Sequence, residues 1–486
     1  MTTLDPSGQP VRVGGVTLRT PGLTGEATAR PPAAERRRAP ELESDPLETA
    51  LRETGVESQR TIELSATGGI PARERTTRSL SHGEAVIEVE VPAPEPNQGQ
   101  LVLYRSESGV TTWHLSRAAR GSERAGERTY VIRPIVASAP AESRTRGVVG
   151  AVVKGALKVL VFPLVDRVLG PIAHDFVAKW EKENRPYRIR TFTPENFRSP
   201  QGTSLKDEDW AALSGERALL LVHGTFSRTD AAFGDLPLDY VQTIFQKYQG
   251  RVISFDHPTL SEDPRENAEW FVRALPDGAS LELDIVCHSR GGLVSRMLAE
   301  QQGELSSRGR TVAVRKVIFV GTPNAGTPLT DTSHVGDFLD SYTNTLTFFP
   351  STGVTDVLEA IVTVLKQFAV TAVKSLPGLQ SMLPNGDFLR GVNQGEKDDK
   401  KYFALSSNFE PADPGLKAYA HDSLMDAIFE AENDLVVPTV GVYEKNGSGF
   451  FPIDEKHVFS ARDGIAHTRF FADRTAREKI LDWLSA

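Results

Sequence analysis

The stretch that most constrains this chain runs from Leu283-Asp284-Ile285-Val286 through Cys287-His288-Ser289-Arg290-Gly291-Gly292 into Leu293-Val294-Ser295-Arg296-Met297-Leu298-Ala299. It reads as a buried strand, a tight turn with a serine at its apex, and a helix, which together make a nucleophile elbow. A turn this sharp brings the strand and helix backbones close together, so small residues are needed two places to either side of the serine. Gly291 meets that need on one side; on the other, Cys287 stands where a glycine is usual. Ser289 is therefore the candidate nucleophile. Cys287 is the alternative, although a free thiol at the end of a buried strand ordinarily behaves as a small hydrophobe.

A second apolar strand, Ala218-Leu219-Leu220-Leu221-Val222, runs directly into His223-Gly224-Thr225-Phe226. Gly224 permits a sharp turn there that exposes backbone N–H groups. The Thr225 N–H and the Arg290 N–H, the latter opening the helix after Ser289, are the expected donors to a developing oxyanion.

A serine hydroxyl needs a base, and in this topology acid and base follow the nucleophile in the order Ser, Asp or Glu, His. Of the ten histidines, only His457 and His467 come after a suitable late acidic loop. Lys456-His457-Val458-Phe459-Ser460 reads as a strand. Asp463-Gly464-Ile465-Ala466-His467 reads as a loop before a closing helix from Asp473 to Leu484, so His467 is preferred over His457. For the acid, Asp434 ranks first within Glu432-Asn433-Asp434-Leu435-Val436-Val437-Pro438, with Glu432 as the alternative. Asp422 and Asp426 read as surface residues on a helical turn.

Taken in series, His223-Gly224, Cys287-His288-Ser289-Arg290-Gly291-Gly292, Gly321-Thr322-Pro323-Asn324-Ala325-Gly326-Thr327-Pro328, Asn433-Asp434 and His467 resemble the α/β-hydrolase fold. The match is with lipase-like enzymes of its serine esterase and GPI-inositol-deacylase-like branch, over about residues 186–486. The resemblance implies Ser289 as nucleophile, His467 as base and Asp434 as acid, with Thr225 and Arg290 as main-chain oxyanion donors. It also implies a lid in the insertion at about residues 330–400. There Val354, Val357, Leu358, Ile361, Val362, Leu365, Phe368, Ala369 and Ala372 recur at helical steps and form one apolar face. That face either packs on its own domain or lines a hydrophobic acyl pocket.

With 486 residues, the chain is long enough for about three domain-sized units. Residues 1–55, rich in Pro, Gly, Thr, Glu and Arg, read as a disordered head. Residues 56–140 read as a small β domain of sandwich or barrel type, from short alternating runs such as Ala85 to Val91 and Leu101 to Tyr104. Residues 141–185 read as a helical linker and residues 186–486 as the catalytic α/β domain, its parallel sheet covered on both faces. No cofactor or metal is expected, since the single Cys offers no CxxC pair and no HExxH run occurs. Nucleic acid is not an expected partner: Arg36-Arg37-Arg38 is surrounded by Glu35, Glu41, Glu43 and Asp45. No secretion signal or membrane span is read, and a cytoplasmic location is expected. An ester or lipid is the expected substrate. Transient membrane contact through Val148 to Val177 is a further reading, and the partner of the β domain is unknown.

Overall fold

The computed structural model describes residues 1–30, 45–70, 86–116, 126–134, 137–138, 149–164, 173–301, 305, 309–331, 333–369, 376–394, 399–420, 428–429, 431–444 and 452–486. The chain forms two compact units. One comprises Met1–Leu169, Val362–Ala372 and Pro411–Met425, and the other Gly170–Ile361, Val373–Glu410 and Asp426–Ala486.

The first unit is a β-sandwich. One sheet orders its strands Thr2–Thr3, Leu23–Arg30, Glu57–Ile70, Val149–Pro163, Gln98–Ser106 and Thr111–His114; the other pairs Val11–Val13, Val16–Arg19, Ile87–Pro92 and Glu127–Ile132. Val16, Leu18, Val89 and Tyr130 of the smaller sheet share one buried core with Leu23, Leu64, Val102 and Leu157 of the larger.

Two sequence expectations are corrected here. Residues 1–30 are not a disordered head but supply four strands. Their local signal is Gly14-Gly15, with φ of 58° and 80°, which turns Val13 back onto Val16 as a two-residue hairpin. Likewise, the helical linker is in large part a strand. Val149–Pro163 pairs with Glu57–Ile70 on one side and Gln98–Ser106 on the other. Its apolar residues fit a helical step only because they occur at nearly every position, and β-branched valines favour the extended form. Within the segment Val148 to Val177, Val149–Pro163 is therefore a strand paired on both edges, not a surface helix, while residues 165–172 lie outside the described residues. Among the described residues, no helix is long and apolar enough to cross a membrane.

The second unit is an eight-stranded α/β sheet. Its strands are β1 (Arg188–Thr191), β2 (Thr203–Ser204), β3 (Arg217–Val222), β4 (Val252–Asp256), β5 (Ser280–His288), β6 (Thr311–Val320), β7 (Lys401–Ser407) and β8 (Glu455–Phe459), in spatial order β2-β1-β4-β3-β5-β6-β7-β8. From β4 to β8 all pairings are parallel, while β1 runs antiparallel to β4 and β2 antiparallel to β1. The largely parallel sheet, with a strand–turn–helix elbow after β5, makes this unit an α/β fold. Leu219, Leu221, Val286, Ile318, Leu405 and Phe459 bury one face of the sheet against Ile480 and Trp483. The helices that matter for the site are α1 (Ala173–Asn184), α2 (Pro264–Ala274), α3 (Gly291–Glu300), α4 (Val335–Phe348), α5 (Val354–Phe368) and α6 (Arg474–Ser485). This unit takes in α1, so it begins upstream of the expected boundary at residue 186. The loops after β3, β5, β7 and β8 all leave the carboxyl edge of the sheet, where open α/β sheets bind their ligands.

Candidate active site

Ser289 sits between β5 and α3 with φ of 54°, in the left-handed region, and its N–H donates to the Val320 carbonyl at 2.9 Å. A non-glycine residue held there is strained, and such strain is commonly stored at functional positions. The glycines around it show how close the packing is. A Cβ at Gly291 would lie 2.4 Å from the His223 carbonyl oxygen, and one at Gly224 would lie 2.6 Å from the Ser289 Cβ. The start of α3 and the end of β3 therefore approach as closely as their backbones allow. Cys287 is fully buried, and burial pushes its thiol up to about 12, which removes the thiolate needed for nucleophilic attack.

Asp434 and His467 meet at the ends of two different loops. The His467 Nδ1 lies 2.7 Å from the Asp434 Oδ2, and the His467 main-chain N–H donates to the Asp434 carbonyl at 3.1 Å. The other carboxylate oxygen, Oδ1, accepts the N–H groups of Val436 and Val437 at 3.0 and 2.8 Å. Leu435, with φ of 80°, provides the reversal that aims both amides back at the carboxylate. A carboxylate oriented by two main-chain donors and facing Nδ1 fixes the ring and directs Nε2 away from it. That Nε2 is buried and has no hydrogen-bond partner among the described residues. Gly321 makes room for the ring, since a Cβ there would lie 3.2 Å from the His467 Cε1. His288 fixes the same loop: its Nε2–H donates to the His467 carbonyl at 2.9 Å. His457 lies on β8 against Phe459, and Glu432 is exposed. Asp422 and Asp426 lie outside the described residues.

Ser289 and His467 both adjoin the Val320-Gly321 corner, yet they make no hydrogen bond to each other. The Ser289 Oγ instead faces the hydroxyl of Tyr342 on α4 at 3.5 Å. The Tyr342 ring also meets His467 edge-on at 5.9 Å and packs against Phe226 and Phe338. Ser289 is 2% exposed and His467 0%. Among the described residues, neither the Thr225 nor the Arg290 main-chain N–H is consumed by a turn or ladder hydrogen bond, whereas the Phe226 N–H is taken by the Thr259 Oγ1 at 3.2 Å.

Several supporting residues were not visible in the sequence. Tyr342 is one, because a tyrosine in an amphipathic helix bears no mark of what it faces. Glu181 of α1 is another. It reads as a surface acid, but it is buried, and its carboxylate accepts the N–H groups of Thr259 (2.7 Å), Leu260 (3.0 Å) and Ser261 (2.8 Å) and the Ser261 hydroxyl (2.6 Å). The Arg290 side chain is buried too, donating to Asn267 Oδ1 at 3.0 Å and to the carbonyls of Gly378 and Glu262. Burial lowers its pKa to about 10. Together Glu181 and Arg290 fix the loop between β4 and α2 beside the elbow. Among the described residues, no group of three or more His, Cys, Asp or Glu could hold a metal ion.

No curated protein matches the sequence. Among solved structures, the chain is similar to lipase 1 from Pelosinus fermentans, at 14% identity and a TM-score of 0.37 over 56% of this chain and 99% of that one. It is also similar to the Staphylococcus hyicus lipase, at 12% identity and 0.34 over 55% and 95%. The metagenomic carboxyl esterase MGS0156 matches at 15% identity and 0.31 over 55% and 76%. Likenesses this loose say nothing about what the chain does. Residues 184–485, which carry Thr225, Ser289, Arg290, Asp434 and His467, match the family described as a domain of unknown function, DUF7379, and the chain belongs to that family.

Proposed function

We propose that the protein is a cytoplasmic serine hydrolase that cleaves carboxylic esters with an apolar, lipid-like acyl group. Ser289 Oγ attacks the ester carbonyl while its proton passes to His467 Nε2, and Asp434 stabilises the imidazolium without taking the proton. The oxyanion is received by the Thr225 and Arg290 N–H groups, each donor worth about 3 kcal/mol of transition-state stabilisation. The alcohol departs with the proton from His467, and water activated by the same ring then releases the acyl group. No cofactor takes part in these steps.

The observation that carries this reading is the Asp434–His467 pair at 2.7 Å, whose buried Nε2 is unpartnered beside a serine held at φ of 54°. Phe226, Phe338 and Tyr342 beside Ser289 support an apolar acyl site, in keeping with the lipase-like motifs of the GPI-inositol-deacylase-like branch. Because Ser289 is 2% exposed, α4 acts as a lid that withdraws to admit substrate. The test is hydrolysis of a short-chain and a long-chain nitrophenyl ester by wild type and Ser289→Ala. Faster turnover of the long ester, abolished in the variant, is expected; exclusive preference for acetate removes the lipid-like substrate.

One observation favours a second reading, a catalytically silent hydrolase fold used for binding. It is the pairing of the Ser289 hydroxyl with Tyr342 rather than with His467. Absence of turnover on every ester, in wild type that is folded, gives that reading the lead.

A further inference from the structure

At the opposite edge of the same sheet lies a cavity of about 450 Å³, within the range of roughly 300–1,000 Å³ usual for small-molecule sites. Asp284, which lines it, is five residues upstream of Ser289 on β5, a rise of about 16 Å. Six cationic side chains line it, Arg217, Lys247, Arg251, Arg315, Lys316 and Lys401, against two acidic ones, Asp284 and Asp399. Glu282 pairs with Arg217 and Arg315 at the rim, and Glu216 with Arg251, so the cations still outnumber the acids. In a chain whose formal charge is −9, such a concentration of positive charge is not inherited from composition.

Two of these groups are buried with bonding capacity unspent. Register places Asp284 beside Lys316 on adjacent strands, and Lys316 beside Lys401. Lys316, 6% exposed, donates to the carbonyls of Trp483 (3.1 Å) and Leu484 (3.3 Å), which uses two of the three N–H donors of an ammonium. Asp284, 1% exposed, accepts from the Tyr248 hydroxyl at 2.7 Å through Oδ2, while its Oδ1 is buried without a partner among the described residues. Burial lowers the pKa of Lys316; the neighbouring Asp284 carboxylate opposes that shift, and Arg217, Lys401 and Lys247 add to it.

We infer that this cavity is a second binding site, separate from the Ser289 centre, which takes a phosphorylated polyol. The phosphate accepts the third Lys316 N–H and the surrounding guanidinium groups, which suit phosphate geometry. A hydroxyl of the polyol donates to Asp284 Oδ1, which a bare phosphate cannot do.

The experiment titrates the full chain calorimetrically at about 0.15 M salt, where exposed charges are screened. The probes are glucose 6-phosphate, glucose and inorganic phosphate; in parallel, phosphatidylcholine vesicles with and without phosphatidylinositol are sedimented. One-to-one binding of glucose 6-phosphate, about tenfold tighter than either fragment, is expected. Arg315→Glu with Lys401→Glu, both partly exposed, should weaken it about tenfold or more while leaving ester hydrolysis unchanged. Asp284→Asn should narrow the preference over inorganic phosphate. Binding of phosphatidylinositol vesicles alone, lost in the double variant, assigns the same chemistry to a lipid headgroup. Absence of both kinds of binding, binding unchanged in a double variant with wild-type circular dichroism, or inorganic phosphate binding as tightly as glucose 6-phosphate overturns the inference. None of the binding readouts depends on Ser289.

Discussion

The hydroxyl of Tyr342 stands 3.5 Å from the Ser289 Oγ, which makes no hydrogen bond to His467. The contact links α4 to the elbow. If the phenol competes with His467 for the serine, Tyr342→Phe removes one hydrogen bond of about 1 kcal/mol and speeds phosphonate labelling of Ser289 about fivefold. Slower labelling in a folded variant would instead make the phenol a helper donor to the reaction.

Stability should fall in mild acid. Burial holds His223 at about 4 and His288 at about 3, and it pushes His257 well below the ordinary 6.5. The unfolded chain protonates these rings as pH drops through 6.5, while the folded chain keeps them neutral to near pH 4. The unfolded state thus binds more protons in that window, and unfolding free energy declines by up to about 4 kcal/mol per pH unit. Urea unfolding at a series of pH values checks this; a flat profile between pH 6.5 and pH 4.5 contradicts it. His288→Gln should make the decline shallower.

Much of the α/β half was legible because its strands are unbroken apolar runs bounded by turns, as in Ala218 to Val222, and fully buried strands have few other readings. The pairing of Asp434 with His467 was legible from their order after Ser289 and their place in loops, since Asp434 follows β7 and His467 follows β8, its neighbour in the sheet. The sandwich was only partly legible. Val149–Pro163 is apolar at spacings that suit a helix and a strand equally, and only its two partner strands decide between them. Glu181 and Tyr342 could not be read at all, because what each side chain faces depends on chain segments far away in sequence.

The Glu181 carboxylate should matter to stability more than its place on a helix suggests. In Glu181→Gln an amide N–H₂ faces donors that the carboxylate formerly accepted, leaving buried main-chain N–H groups unpaired at a cost of about 3 kcal/mol. Thermal unfolding of the variant measures this. An unchanged midpoint would mean the loop between β4 and α2 is held by other contacts.

The thiol should be inert. With its pKa pushed up to about 12 by burial, Cys287 is almost wholly protonated at pH 8, so N-ethylmaleimide should leave hydrolysis unaffected in the native protein. Cys287→Ala should retain activity. Loss of activity in step with modification would move the chemistry to the thiol.

The most direct test is covalent capture. Incubated with a fluorophosphonate and digested, wild type should carry one phosphonyl group on the peptide containing Ser289. His467→Asn should label at least about a hundredfold more slowly, as expected when a general base is lost. Ser289→Ala should not label. Native, folded wild type that stays unmodified, or His467→Asn that labels as fast as wild type, would contradict the account.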